Sequence, residues 1–135
     1  MFELCASILA ANFACLKREV RAAESAGGDV SYIDIMDGHF VSAISFGTGI
    51  VRTMGRLTQK PLDVHLMVEN PLPFIPELAE EKVERVSVHY EIPGGPEKAL
   101  RAIREAGMQG LDWSWTRKPR TGRRNRICTG WIGSC

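Results

Sequence analysis

The sequence predicts an α/β fold of the parallel β/α-barrel type, truncated to about four β/α units. Short runs of branched aliphatic residues alternate four times with segments of helical apolar spacing between residues 3 and 110. No connection carries the glycine-rich phosphate fingerprint of a doubly wound sheet, which favours half of a barrel. The chain has 135 residues, well short of the roughly 250 that a complete eight-stranded barrel uses.

The first predicted unit is a strand at residues 4–9 followed by a helix. Asn12 is a suitable helix cap, apolar residues then recur at helical spacing, and Gly27 and Gly28 end the run. The second strand is Val30–Met36. The later elements are predicted as a helix at 50–57, a strand at 61–68, a helix at 72–81, a strand at 85–89 and a helix at 96–106.

The strands have one aliphatic face and one face that carries polar groups and methionines. Successive side chains point to opposite faces of a strand. In YIDIMDGHF and PLDVHLMV the carboxylates, the imidazole and the methionines share one face, so the aliphatic face is expected beneath the helices. Barrel enzymes bind substrates at the carboxyl ends of their strands. The residues expected to face the interior near that end are Ser7, Asp34, Met36, His65, Met67 and His89.

Some of these polar residues also have a structural interpretation. Ser7 could satisfy a backbone group, and His89 is left open between lining the site and packing. Asp37 in the MDG segment is expected to cap a loop rather than bind a ligand, and Asp63 to support the interior network. Burying Asp34 without a partner would cost several kcal/mol, which favours a role for it.

The charge distribution divides the chain near Gly110. Residues 1–110 contain eleven basic and fifteen acidic side chains, whereas residues 111–135 contain six basic and one acidic. All three tryptophans lie beyond the same point, where apolar periodicity ends. We therefore predict a partial barrel domain at 1–110 and an irregular basic tail at 111–135. No apolar run is long enough to span a bilayer, so we expect no membrane partner and a cytoplasmic location.

Four segments together resemble a known family. ASILAANF, YIDIMDGHF, KPLDVHLMVENP and VSVHYE, in this order and spacing, resemble the amino-terminal half of the ribulose-phosphate 3-epimerase family over about residues 3–110. The resemblance implies a TIM barrel and an isomerase that interconverts D-ribulose 5-phosphate and D-xylulose 5-phosphate. It also implies a divalent metal, which we expect to be zinc, iron or manganese, and a small phosphorylated sugar as the substrate.

The resemblance also assigns roles to individual residues. Asp34 matches an aspartate that binds the metal and exchanges a proton, and His65 matches a metal-binding histidine at the substrate. Ser7 matches a substrate-contacting serine, and Met36 and Met67 match methionines that line the reacting centre.

One departure from the family pattern lies in the metal site itself. The family has a ligand histidine two positions before the aspartate, where this chain has Tyr32. The second acid/base aspartate and the phosphate-binding loops belong to the half of the family fold that is not matched. Inverting a carbon beside a ketone requires a proton-transfer group on each side of that carbon. We therefore expect the activity of this chain to be impaired.

The tail has the properties of a frameshift product. The family continues with a fifth strand of the type Gly-Leu-x-Leu-Asn/Asp-Pro, whereas this chain reads GLDWSWTRKP. Tryptophan has a single codon, so few residues are possible in the alternative reading frame after Asp112. That frame gives Leu, then Val if Ser114 has a TCN codon, then Leu, Met or Val, and then Asp. We predict that residues from about 111 arise from a frameshift, through a sequencing error or a degenerate gene. Sequencing the locus tests this.

Two other functions remain open. The chain could be a non-catalytic remnant that binds metal or a sugar phosphate. Alternatively, RKPRTGRRNR with its flanking tryptophans has the charge and stacking groups of a nucleic-acid-binding tail, although frameshifted GC-rich codons also yield arginine and tryptophan. Nucleic acid is therefore not the favoured partner. A four-strand sheet would leave its first and fourth strands as open edges, so we expect self-association into a homo-oligomer.

Overall fold

A computed structural model describes residues 2–114 and the backbone of residues 126–130. Every strand and helix predicted between residues 3 and 110 is present, with ends that differ by only a few residues. Short 3-10 turns precede α1 and α3. The strands are β1 (Glu3–Ser7), β2 (Val30–Met36), β3 (Leu62–Met67), β4 (Val83–His89), β5 (Gln109–Trp113) and β6 (Arg126–Gly130). The helices are α1 (Leu16–Ser25), α2 (Thr48–Leu57), α3 (Ile75–Glu80) and α4 (Glu97–Glu105).

The strands form one sheet in the order β5-β4-β3-β2-β1-β6. Every neighbouring pair is parallel. Between β1 and β5, each strand is joined to the next through a helix, which is the connection that parallel pairing requires. The α/β fold predicted from the alternation of strands and helices is therefore confirmed.

The aliphatic face of the sheet packs against the helices. The strands and helices share one core cluster because each helix also turns an apolar stripe inward. Cys5, Val30 and Tyr32 form a second, smaller cluster on the opposite face of the sheet. The main core includes Ile33, Ile35, Val64, Leu66, Val86, Val88, Val51, Leu78 and Ile103.

A charged cluster lies on the polar face of the sheet near the amino ends of the strands. Arg85 on β4 forms a bidentate ion pair with Glu3 on β1, and its Nε lies 3.8 Å from Asp63 Oδ2 on β3. Because β2 and β3 separate β1 from β4, this contact requires a strongly curved sheet. Asp63 thus has the structural position that we expected for it.

The sheet extends past residue 111, where we predicted the start of an irregular tail. β5 crosses that boundary, and the tail contributes β6, whose residues Arg126–Gly130 pair in parallel with Glu3–Ser7. We expected β1 and β4 to be the edges of the sheet. Instead, β5 and β6 are the edge strands. Backbone N–H and C=O groups of an open strand can pair with any extended segment, whatever its side-chain pattern. Side-chain periodicity therefore did not reveal this pairing.

Most of the tail lies outside the described residues. This applies to the basic run at 117–126, apart from the backbone of Arg126, and to two of the three tryptophans. The nucleic-acid interpretation and the frameshift origin therefore stay predictions.

In the described part of the chain, every helix is too short or too polar to cross a membrane.

Candidate functional site

Three of the residues expected at the site lie together near the carboxyl ends of neighbouring strands. The Ser7 hydroxyl donates a hydrogen bond of 3.0 Å to Asp34 Oδ2, and Asp34 Oδ1 lies 3.1 Å from His65 Nδ1. Asp34 and His65 are almost completely buried, with 8% and 5% of their surface exposed. Both carboxylate oxygens of Asp34 therefore have a partner within the protein.

The strand register explains why these side chains meet. Asp34 on β2 is the direct partner of His65 on β3. In a parallel sheet, residues at the same register position point to the same face. The isoleucines on either side of Asp34 belong to the core beneath the helices, which turns the carboxylate to the other face. The alternation places both side chains on the same face, and the register of β2 with β3 brings them together.

The two methionines occupy the next position along the same strands. Met36 is the register partner of Met67, two residues closer to the carboxyl ends than Asp34 and His65. Residues two apart on a strand share a face. Met67 is buried and Met36 is half-buried, so a ligand approaching this end of the strands would meet Met36 first.

His89 extends the polar network on the side away from Asp34. Its Nε2 lies 2.8 Å from His65 Nε2, and its Nδ1 lies 3.5 Å from Glu91 Oε2. Burial lowers the pKa of His89, the neighbouring His65 lowers it further, and Glu91 acts in the opposite direction. His89 thus contacts a site residue and is also packed, since its ring lies against that of Phe40.

Sequence reasoning did not identify two neighbours of the site. Glu91 follows His89 just beyond the end of β4, and the segment VSVHYE, which resembles the family, already contained it. Trp113 had been assigned to the tail, but it lies on β5 with its ring centroid 5.9 Å from that of His65. Only the pairing of β5 with β4, which aligns Trp113 with His89, could have revealed this contact.

Asp37 caps a loop, as expected. Its Oδ1 accepts hydrogen bonds from the backbone N–H groups of His39 and Phe40, and its Oδ2 accepts one from Glu69. Burial acts to raise the pKa of Asp37, but these three hydrogen bonds outweigh that effect and lower it. The carboxylate therefore holds the loops after β2 and β3 together.

Asp34 and His65 fit a divalent ion as two of its ligands. Two donors bound to the same ion at about 2.0 to 2.2 Å lie about 3 Å apart, close to the 3.1 Å between Asp34 Oδ1 and His65 Nδ1. Carboxylate and imidazole suit zinc, iron and manganese. Within the described residues, no three His, Cys, Asp or Glu side chains form a group that could hold a metal. Other groups would have to complete the coordination.

Tyr32 occupies the position of the expected third ligand. It is the residue two before Asp34, it is 9% exposed, and its ring centroid lies 5.9 Å from that of His65. A phenol with a pKa near 10 is a poorer ligand at neutral pH than an imidazole. For an ion held by Asp34 and His65, Tyr32 is therefore a weaker donor than a histidine at this position would be.

Comparisons with known proteins place the chain in one family. Residues 3–114 match the model of the ribulose-phosphate 3 epimerase family. The ribulose-phosphate 3-epimerase of Methanocaldococcus jannaschii is 41% identical over 111 residues, which cover 82% of this chain and 47% of that protein. The same-named protein of Bacillus subtilis is 40% identical over 109 residues, covering 81% of this chain and 50% of the relative. This chain spans about half the length of the curated relatives it matches.

Proposed function

Since the chain belongs to the ribulose-phosphate 3-epimerase family, we propose that its site acts on a pentulose 5-phosphate. The reaction is proton exchange at the carbon beside the ketone, which relates D-ribulose 5-phosphate to D-xylulose 5-phosphate. Asp34 is the proton-transfer group. The contact that carries this proposal is the one between Asp34 and His65 on adjacent strands, in the segment that matches the family.

The contacts of Asp34 support its role as a base. Ser7 holds one carboxylate oxygen and His65 the other, so the carboxylate cannot rotate freely. A base fixed at the reacting carbon needs no reorganisation before proton removal. Its position near the carboxyl ends of the strands is also where barrel enzymes bind their substrates.

We also propose that Asp34 and His65 are ligands of a divalent ion, which is zinc, iron or manganese. When bound, such an ion supplies positive charge that stabilises the oxygen anion of the planar enediolate. The support for this proposal is the donor chemistry of the pair and the 3.1 Å between its facing atoms.

Substrate contacts are proposed for Ser7, His65, Met36 and Met67. The Ser7 hydroxyl can form a hydrogen bond with a sugar oxygen. His65 contacts the other carboxylate oxygen of Asp34 and so lies on the opposite side of that residue. Methionine sulfur is soft and polarisable, and the Met36–Met67 pair lies further toward the carboxyl ends of the strands. These side chains therefore suit contact with the planar intermediate.

A single proton-transfer group limits what the described residues can do. Asp34 can act on one side of the carbon only, whereas inversion requires a second group on the other side. We expect slower epimerisation than in a complete relative, but proton exchange with solvent at the side that Asp34 faces. The competing function is binding without any proton transfer.

The test is deuterium incorporation in heavy water. Purified chain with Mn²⁺ is incubated separately with ribulose 5-phosphate and xylulose 5-phosphate, and deuterium beside the ketone is followed by NMR together with conversion to the other sugar. We expect incorporation into one of the two sugars, faster than conversion. Asp34→Asn should abolish it, while Asp29→Asn, at an exposed aspartate, should not. Incorporation into neither sugar would reject catalysis and favour the binding function.

A further inference from the structure

His65 is held at both ring nitrogens by buried partners. Its Nδ1 lies 3.1 Å from Asp34 Oδ1, and its Nε2 lies 2.8 Å from His89 Nε2. The two imidazole rings are inclined by only 24° and their centroids are 4.9 Å apart, so they meet edge to edge. His65 therefore has one nitrogen toward the proposed metal position and one toward β4.

The short distance between the two imidazoles constrains their protons. Two neutral ring nitrogens at 2.8 Å form a hydrogen bond only if one donates and the other accepts. If His65 Nδ1 binds a metal, neutral His65 carries its proton on Nε2 and donates to His89. His89 must then accept through Nε2 and carry its own proton on Nδ1, the nitrogen that faces Glu91 at 3.5 Å.

We propose that His89 is a positioning residue for the metal-binding face of His65, and that Glu91 holds His89 in the tautomer that accepts this hydrogen bond. This inference rests on the proposed metal site. A ligand histidine generally donates its second ring N–H to an acceptor, which fixes both its tautomer and the orientation of its ring. Here the acceptor is another imidazole, supported by the carboxylate of Glu91 just beyond the end of β4.

Packing alone is the alternative explanation for His89. Its side chain is completely buried and lies against Phe40, with ring centroids 4.8 Å apart. If packing were its purpose, phenylalanine would replace it well, because it has an aromatic ring of similar shape. If His89 accepts a hydrogen bond, glutamine is the better replacement, because its amide oxygen can accept one.

The test compares the affinities of these two variants for Mn²⁺ in the absence of substrate. Electron paramagnetic resonance measures the concentration of free Mn²⁺, from which the affinity is obtained. Manganese is preferred to zinc because the free thiol of Cys5 would compete for the softer ion. We expect His89→Phe to weaken binding by about 10- to 100-fold, as is usual when the partner of a ligand histidine is lost. His89→Gln should recover most of that affinity, and Glu91→Gln should weaken binding less than His89→Phe.

Each outcome has a definite meaning. Equal affinity in His89→Phe and the unaltered chain would overturn the inference and leave the proposed metal site intact. If His65→Ala binds Mn²⁺ as tightly as the unaltered chain, both the inference and the proposed metal site are wrong. The same holds if the unaltered chain does not bind Mn²⁺. Thermal unfolding of the two His89 variants provides the folding control. If His89→Phe fails to fold, Glu91→Gln becomes the deciding variant. An unchanged affinity of Glu91→Gln for Mn²⁺ would reject the proposed arrangement of His65, His89 and Glu91.

Discussion

The guanidinium of Arg85 donates two hydrogen bonds, of 2.7 and 3.4 Å, to the carboxylate of Glu3, although their strands are separated by two others. The Arg85 side chain is 4% exposed and that of Glu3 is 20% exposed. The pair ties the amino end of β1 to β4 across the concave face of the sheet. It lies at the opposite end of the strands from the candidate site.

Loss of the Arg85 cation should destabilise the fold. Arg85→Ala leaves the partly exposed carboxylate of Glu3 and the buried carboxylate of Asp63 without their shared cation, and breaking a buried pair on one side costs about 3 to 5 kcal/mol. Arg101→Ala, at an exposed arginine on α4, should change the free energy of unfolding by less than about 0.5 kcal/mol. Urea unfolding of both variants measures the difference. Equal stability would show that the ion pair contributes nothing.

Asp37 should make the stability of the protein sensitive to acid. Its pKa is lowered in the folded protein, so its stabilising effect is present above the unfolded value near 3.8 and is lost as the pH falls through the lower folded value. Asp37→Asn should cost about 1 to 3 kcal/mol at pH 7, because the charged hydrogen bonds are lost. The cost should shrink when unfolding is measured below pH 4. Glu80→Gln, at an exposed carboxylate on α3, serves as the control.

Tyr32→His should strengthen metal binding. The change returns an imidazole to the position two residues before Asp34, beside the ring of His65. A third protein ligand should raise the affinity for Mn²⁺ by about tenfold or more, or at least about 1.4 kcal/mol. Titration by calorimetry measures this, with Tyr90→His at a more exposed tyrosine as the control for a non-specific histidine. Equal gains in both variants would argue against a metal position at Asp34.

Removing β6 should promote self-association. Deletion of residues 115–135 exposes the edge of β1, whose partner along Glu3–Ser7 is then missing. Open strand edges are sites of pairing between chains. We expect the shortened chain to show a larger mass in light scattering at micromolar concentration and a lower free energy of unfolding. An unchanged mass and stability would mean that β6 does not protect this edge.

The sequence was sufficient for those parts of the site that follow from local pattern. The period-two alternation in β2 and β3 predicted that Asp34 and His65 share a face, and their register confirms that they meet. The same reasoning predicted the helix-covered face, because Ile33, Val64 and similar residues have no alternative place to be buried.

Features that depend on pairing between distant segments were not predictable in this way. The register between β3 and β4 decides whether His65 contacts His89, and no local pattern in either strand encodes it. β6 has no periodic signal, and its pairing with β1 depends on hydrogen bonds of the backbone. The position of Trp113 near His65 likewise requires β5 to be recognised as a strand.

The pairing of β1 with β6 also bears on how the chain acquires its structure. Glu3 pairs with Arg126 and Ser7 with Gly130, so this ladder joins segments that are far apart in the sequence. Contacts of such long sequence separation close large loops and form slowly. During synthesis, the strand that carries Ser7 waits for its second neighbour until Arg126–Gly130 has left the ribosome. The nascent protein is therefore most vulnerable to misassembly along β1.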